Sequence, residues 1–101
     1  EKIIIKVDSE LADLIPGFLD KRRSDIPAFW NALKSGDFAT LTTLGHRLRG
    51  NAGGYGFDQL GILGGKIEDS AKEKKTAPIE AAIKEIELYL SNVEVVYEKA
   101  A

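Results

Sequence analysis

The sequence has no cysteine and no methionine, and only one histidine and one tryptophan. Without cysteine there is neither a disulfide framework nor thiol chemistry. One histidine without thiolates is too small a ligand set for a transition-metal site. The absence of cysteine suits a reducing compartment, so a cytoplasmic location is expected. No apolar run approaches the ~20 residues of a membrane span, and no signal peptide is apparent, so a membrane is not an expected partner. A surplus of positive charge is also missing. Fourteen Lys and Arg face sixteen Asp and Glu, for a formal net charge of -2, which argues against nucleic acid as the main partner. The glycine-rich stretch Gly61-Ile62-Leu63-Gly64-Gly65-Lys66 matches neither G-x-G-x-x-G nor G-x-x-x-x-G-K-[ST], so a nucleotide loop is not expected.

What remains is the composition of a folded domain. Hydrophobic residues make up 44% and charged residues 30% of 101 positions, which suits a single domain with one core over residues 1–101. The chain begins at Glu1 without any methionine, as an excised domain or a processed chain would.

Hydrophobic spacing gives the architecture. Ile3-Ile4-Ile5 and Val7 form a short apolar run, expected as an extended arm on the core because a lone strand has no partner. Asp8 or Ser9 is expected to cap a short helix with Leu11, Leu14 and Ile15 inside, ended by Pro16-Gly17. A second helix is predicted from about Gly17 to Ser35, with Phe18, Leu19, Arg22, Ile26, Phe29 or Trp30, and Leu33 inward. Pro27 should kink or split it. Lys21-Arg22-Arg23 is a short basic run, ordinarily a solvated face. Gly36 and Asp37 read as the stop and N-cap between this helix and the next.

The third helix runs from Asp37 to about Gly53, with Phe38, Leu41, Leu44, Leu48 and Ala52 as its apolar stripe. Phe57 or Asp58 opens the fourth, with Phe57, Leu60, Leu63, Ile67 and Ala71 inward. Its glycines Gly61, Gly64 and Gly65 weaken it as an isolated helix and suit a close helix approach. Thr76 should cap a last helix with Pro78 in its first turn and a stripe from Ile79 to Tyr97, ending near Lys99. Short connections then predict an all-α fold: an up-down antiparallel four-helix bundle, core about 17–99, with a short N-terminal capping helix.

The only histidine, His46, lies roughly 150° from the centre of its helix's apolar stripe at ~100° per residue, on the water side. Thr42 is one turn below it, Arg49 one turn above toward the flank, and Gly50 and Gly53 further along. The ordinary role for such a histidine is a solvated surface. A mid-helix glycine, however, costs ~1 kcal/mol relative to alanine, and Gly50 gains nothing on a merely solvated face. A face that another backbone approaches closely does gain from it.

His46-Arg47-Leu48-Arg49-Gly50, followed by Tyr55-Gly56-Phe57-Asp58-Gln59-Leu60 and then Ile67-Glu68, resembles the signature of histidine phosphotransfer (HPt) domains: H-x-L-[KR]-G, a small-residue stretch, Gly-x-x-x-Leu and a Leu-Glu-like pair. The match spans about Phe38 to Ala71. Arg49 stands where lysine is commoner, and Gly45 to Gly65 carries more glycine than the pattern needs. The resemblance implies that His46 accepts a phosphoryl group, on its distal nitrogen, and exchanges it with an aspartate of a receiver domain in a response regulator or hybrid histidine kinase. It implies no cofactor in this chain, Mg²⁺ on the receiver, no ATP site, and a monomeric phosphocarrier. Arg49 would stabilise the phosphoryl group, and Thr42, Arg47, Gly50, Gly53 and Ile62 would border the partner. Two alternatives stay open: a helical adaptor of this shape that binds receivers or kinases without phosphate, and the substrate domain of a chemotaxis-type histidine kinase.

Overall fold

The structure is a computed structural model and describes residues 1–99. Strand β1 (Ile3–Asp8) leads through one 3-10 turn (Ser9–Leu11) into four helices: α1 (Ile15–Ser35), α2 (Phe38–Ala52), α3 (Asp58–Lys72) and α4 (Thr76–Asn92). Strand β2 (Val93–Glu98) follows α4 directly. The fold is mostly helical. Contacts of α1 with α2, α2 with α3, α3 with α4 and α4 with α1 close a ring around one core. That core holds Phe29, Phe57, Leu41, Leu60, Leu63, Ile67, Ile79, Ile83 and Ile86, all fully buried.

The helix boundaries follow local chemistry. Gly36 ends α1 in the left-handed conformation (φ 69°), its amide donating to Ala32 and Leu33 carbonyls, as glycine after a helix does. Asp37 caps α2 by accepting from the Thr40 amide at 3.1 Å and the Thr40 hydroxyl at 2.6 Å. These two bonds hold its carboxyl below the usual carboxylate range. Gly56 (φ 89°) turns the chain between α2 and α3.

Several expectations are corrected. Pro16 does not interrupt a helix; it sits in the first turn of α1, where a missing amide hydrogen costs nothing. The short N-terminal capping helix shrinks to the single 3-10 turn, with Asp8 accepting from the Glu10 amide at 2.9 Å. Pro27 lies on the exposed side of α1 without splitting it. Phe29, not Trp30, is the core residue there; Trp30 is half-buried and its indole N–H donates to Glu87 at 2.8 Å. Thr76 is the first residue of α4 rather than its cap.

The largest correction concerns the two ends. The N-terminal apolar run has a strand partner after all. β1 pairs with β2 in parallel, with Ile3 opposite Val93 and Asp8 opposite Glu98. The last helix therefore stops at Asn92 rather than near Lys99. Val93, Val95 and Val96 are stiff at χ1 and favour the pleated conformation once a neighbouring strand is present. Ile3, Ile5, Val93 and Val95 pack against the core, while Ile4 and Val96 face outward. Lys2–Glu94 and Lys6–Glu98 ion pairs at 3.3 and 3.4 Å cross the exposed face.

Candidate functional site

Two helices meet backbone to backbone beside the only histidine. Gly45 of α2 and Gly64 of α3 face each other there. A Cβ on Gly45 would stand 2.6 Å from the Gly64 carbonyl oxygen and 2.8 Å from the Glu68 nitrogen. A Cβ on Gly64 would stand 2.7 Å from the Gly45 oxygen and 2.8 Å from the Arg49 nitrogen. Neither position admits a side chain unless the helices separate. The seam sets the reach between residues on its two sides: His46 follows Gly45, and Glu68 sits one turn after Gly64.

Glu68 is buried, at 6% exposure, while the His46 side chain is 72% exposed. Nδ1 of His46 lies 3.0 Å from Oε2 of Glu68. Arg49 donates to Oε1 of the same carboxylate at 3.5 Å, and the Lys72 ammonium lies 3.4 Å from Oε2. Burial pushes the Glu68 carboxyl up, but hydrogen bonds from His46 and Lys72 outweigh it and hold the group below the usual carboxylate range. An ionised carboxylate only accepts, so Nδ1 must carry the proton it shares. In the neutral ring the lone pair is then left on Nε2, the outer nitrogen of an exposed side chain. A helix-borne imidazole with a fixed tautomer and an open Nε2 can act as a nucleophile. Arg49, whose Cδ would stand 3.4 Å from a Cβ added at Gly65, places a cation on the same carboxylate.

The other expected site residues divide into two groups. Gly53 and Ile62 line a groove of about 430 Å³ together with Arg49 and Lys66; His46 does not line it, and the exposed Ile62 (55%) shares the groove with Arg49. Gly50 faces open space, with nothing within 4 Å of an added Cβ. Arg47 points the other way, toward α1, where its charge acts on Asp25. Thr42 is half-buried and spends its hydroxyl on the Phe38 carbonyl at 2.8 Å.

Glu68 enters the sequence reading only as the second member of the Ile67-Glu68 pair, and neither it nor Lys72 is given a site role there. The further signal for Glu68 is a carboxylate beside the inward Ile67 and four residues after a glycine: a charge on a buried flank where the helix is built for close approach. Among the described residues there is no group of three or more His, Cys, Asp or Glu side chains placed to hold a metal ion, and no helix is long and apolar enough to cross a membrane. Compared with family models, curated proteins and solved structures, the chain matches none.

Proposed function

We propose that this chain is a histidine phosphotransfer domain of a cytoplasmic phosphorelay. It takes a phosphoryl group on Nε2 of His46 from the aspartyl phosphate of a receiver domain and returns it. The observation that carries this reading is the Nδ1–Glu68 contact of 3.0 Å beneath an exposed imidazole. In the forward step the Nε2 lone pair attacks phosphorus. The N–P bond forms, the acyl P–O bond of the aspartyl phosphate breaks, and the carboxylate leaves with the electron pair. The ring becomes positively charged as Nε2 bonds, and the Glu68 carboxylate at Nδ1 stabilises that charge. Arg49 supplies a planar donor set for the phosphoryl oxygens. The Mg²⁺ and the aspartate belong to the receiver, and the chain acts as a phosphocarrier rather than a kinase.

In this reading the four helices form an up-down antiparallel bundle that displays His46 halfway along α2. The monomer is the working unit, with Gly50, Gly53 and Ile62 bordering the docked receiver and Arg47 steering its approach. The test is incubation with a phosphorylated receiver domain, followed by detection of acid-labile, base-stable phosphate on the chain. Label is expected on the wild type and lost in His46→Gln, with helicity retained because the exposed ring contributes no core packing. Label of equal intensity on His46→Gln would overturn the assignment. Receiver binding without label on the wild type would instead identify a phosphate-free adaptor.

A further inference from the structure

A second polar feature lies on the opposite flank of α2 and plays no part in the His46 chemistry. The first turns of α1 and the last turn of α2 enclose a cavity of about 310 Å³ lined by Gly17, Phe18, Lys21, Arg22, Asn51 and Tyr55. Arg22 is 7% exposed. Its guanidinium lies over the Phe18 ring at 5.1 Å, and Phe18 is itself braced by Tyr55 and Phe57, with ring centroids at 4.7 and 5.4 Å. Its Nε lies 3.0 Å from Asp25 Oδ2, yet this buried nitrogen makes no aligned hydrogen bond. Among the described residues no acceptor takes a hydrogen bond from the Arg22 guanidinium at all. Of its donors only Nε is buried without a hydrogen bond, beside the Asp25 carboxylate at 3.0 Å, and the two terminal nitrogens of the fork are left for a further acceptor.

The local charge also asks for an anion. Lys21, Arg22 and Arg47 gather around Asp25, while the neighbouring Asp20 is engaged with Arg23 at 3.2 Å. The start of α1 adds the positive end of its dipole. The mouth is open, since a Cβ on Gly17 would meet nothing within 4 Å.

We propose that this cavity is a seat for a small oxyanion, a phosphate or a carboxylate group, gripped by Arg22 and closed over by Lys21 and Asn51. The planar fork suits either group. The seat is separate from His46: Asn51 lies five residues on, roughly 140° around the helix at ~100° per residue. It stands whether or not His46 carries phosphate.

The test is a titration of the chain with inorganic phosphate, and separately with acetate, at constant ionic strength set by chloride, read by amide and side-chain NMR shifts. Saturable shifts confined to Lys21, Arg22, Asn51 and Tyr55 are expected, in the millimolar range. Asn51→Asp, at an exposed position, sets a carboxylate beside the guanidinium and should weaken binding at least ~10-fold, with circular dichroism unchanged. Lys21→Gln should weaken it several-fold. Phosphate binding much tighter than acetate assigns a phosphate ligand, while equal binding assigns a carboxylate such as an acidic side chain. The absence of saturable shifts, shifts centred on Arg49 and Lys72 instead, or an Asn51→Asp variant that binds as well as wild type would each overturn the proposal.

Discussion

Two helix seams of this molecule are built on opposite plans. α4 contains no glycine and buries Ile79, Ile83, Ile86 and Leu90. It is held by large side chains that exclude water. The α2–α3 seam is held by glycines, Gly45 against Gly64, with Glu68 buried beside them. The first plan maximises apolar burial. The second gives up side-chain volume and helix propensity to bring two backbones together, so that a buried carboxylate reaches an exposed imidazole. Changes on α4 should therefore lower stability and leave the His46 geometry alone. Changes at the glycine seam should disturb that geometry out of proportion to their size.

The largest stability loss should come from the apolar side. Ile83→Ala removes a fully buried side chain and should cost about 2–5 kcal/mol in denaturant unfolding, while the NMR signature of the His46–Glu68 hydrogen bond stays in place. Gly64→Ala should come next, at about 1–3 kcal/mol from overpacking, because its Cβ meets backbone atoms that cannot swing aside. It should also break the His46–Glu68 bond. The same substitution at Gly50, which faces open space, should raise stability by up to ~1 kcal/mol. Equal effects at the two glycines would erase the distinction between the seam and the open face.

Glu68→Gln tests the seam's polar half. The amide keeps the shape but no longer imposes a donating Nδ1. Phosphotransfer should slow about 10-fold, well short of the ~10⁴ loss on amidating a buried triad carboxylate, because an exposed ring re-equilibrates its tautomer in water. The depressed Glu68 carboxyl also has a stability consequence. Its native form binds fewer protons than its unfolded form in the acid range, so its contribution is present above the ordinary carboxylate pKa and lost as pH falls through the folded value. Glu68→Gln should flatten acid unfolding there.

The smallest effect belongs to Tyr89 on α4, whose hydroxyl is buried without a hydrogen-bond partner. Burial, aided by the Asp58 charge, pushes the phenol from 10.0 up to about 12. The unfolded chain ionises first, so stability should fall as pH rises from about 10 to about 12. Tyr89→Phe should remove that slope while leaving neutral-pH stability nearly unchanged, since no hydrogen bond is lost. A steep loss at neutral pH would reveal a partner for the hydroxyl.

The parts of this fold legible in the sequence are those encoded locally. Gly36-Asp37 marks a helix stop and cap within two residues, and the Leu60–Leu63–Ile67–Ala71 stripe repeats within one helix. His46 is off its own helix's stripe and is indeed exposed. What escaped was encoded across distance. Ile3 and Val93 are each weak strand signals alone, and neither announces the other from the far end of the chain. Arg22 is inward by its helix position, but its run Lys21-Arg22-Arg23 reads as a solvated face, and its 7% exposure contradicts that second expectation; its stacking on Phe18 depends on an aromatic cluster that Tyr55 and Phe57 complete. Glu68 lies twenty-two residues from His46, and the link between them exists only because two glycines let the helices close.

The most direct test of the account is the tautomer of His46, read by long-range ¹H–¹⁵N NMR on the unphosphorylated chain at neutral pH, and then the site of the N–P bond after phosphorylation. The account predicts a proton on Nδ1, a bare Nε2, and phosphate on Nε2. A proton on Nε2 with Nδ1 bare, or phosphate found on Nδ1, would contradict it.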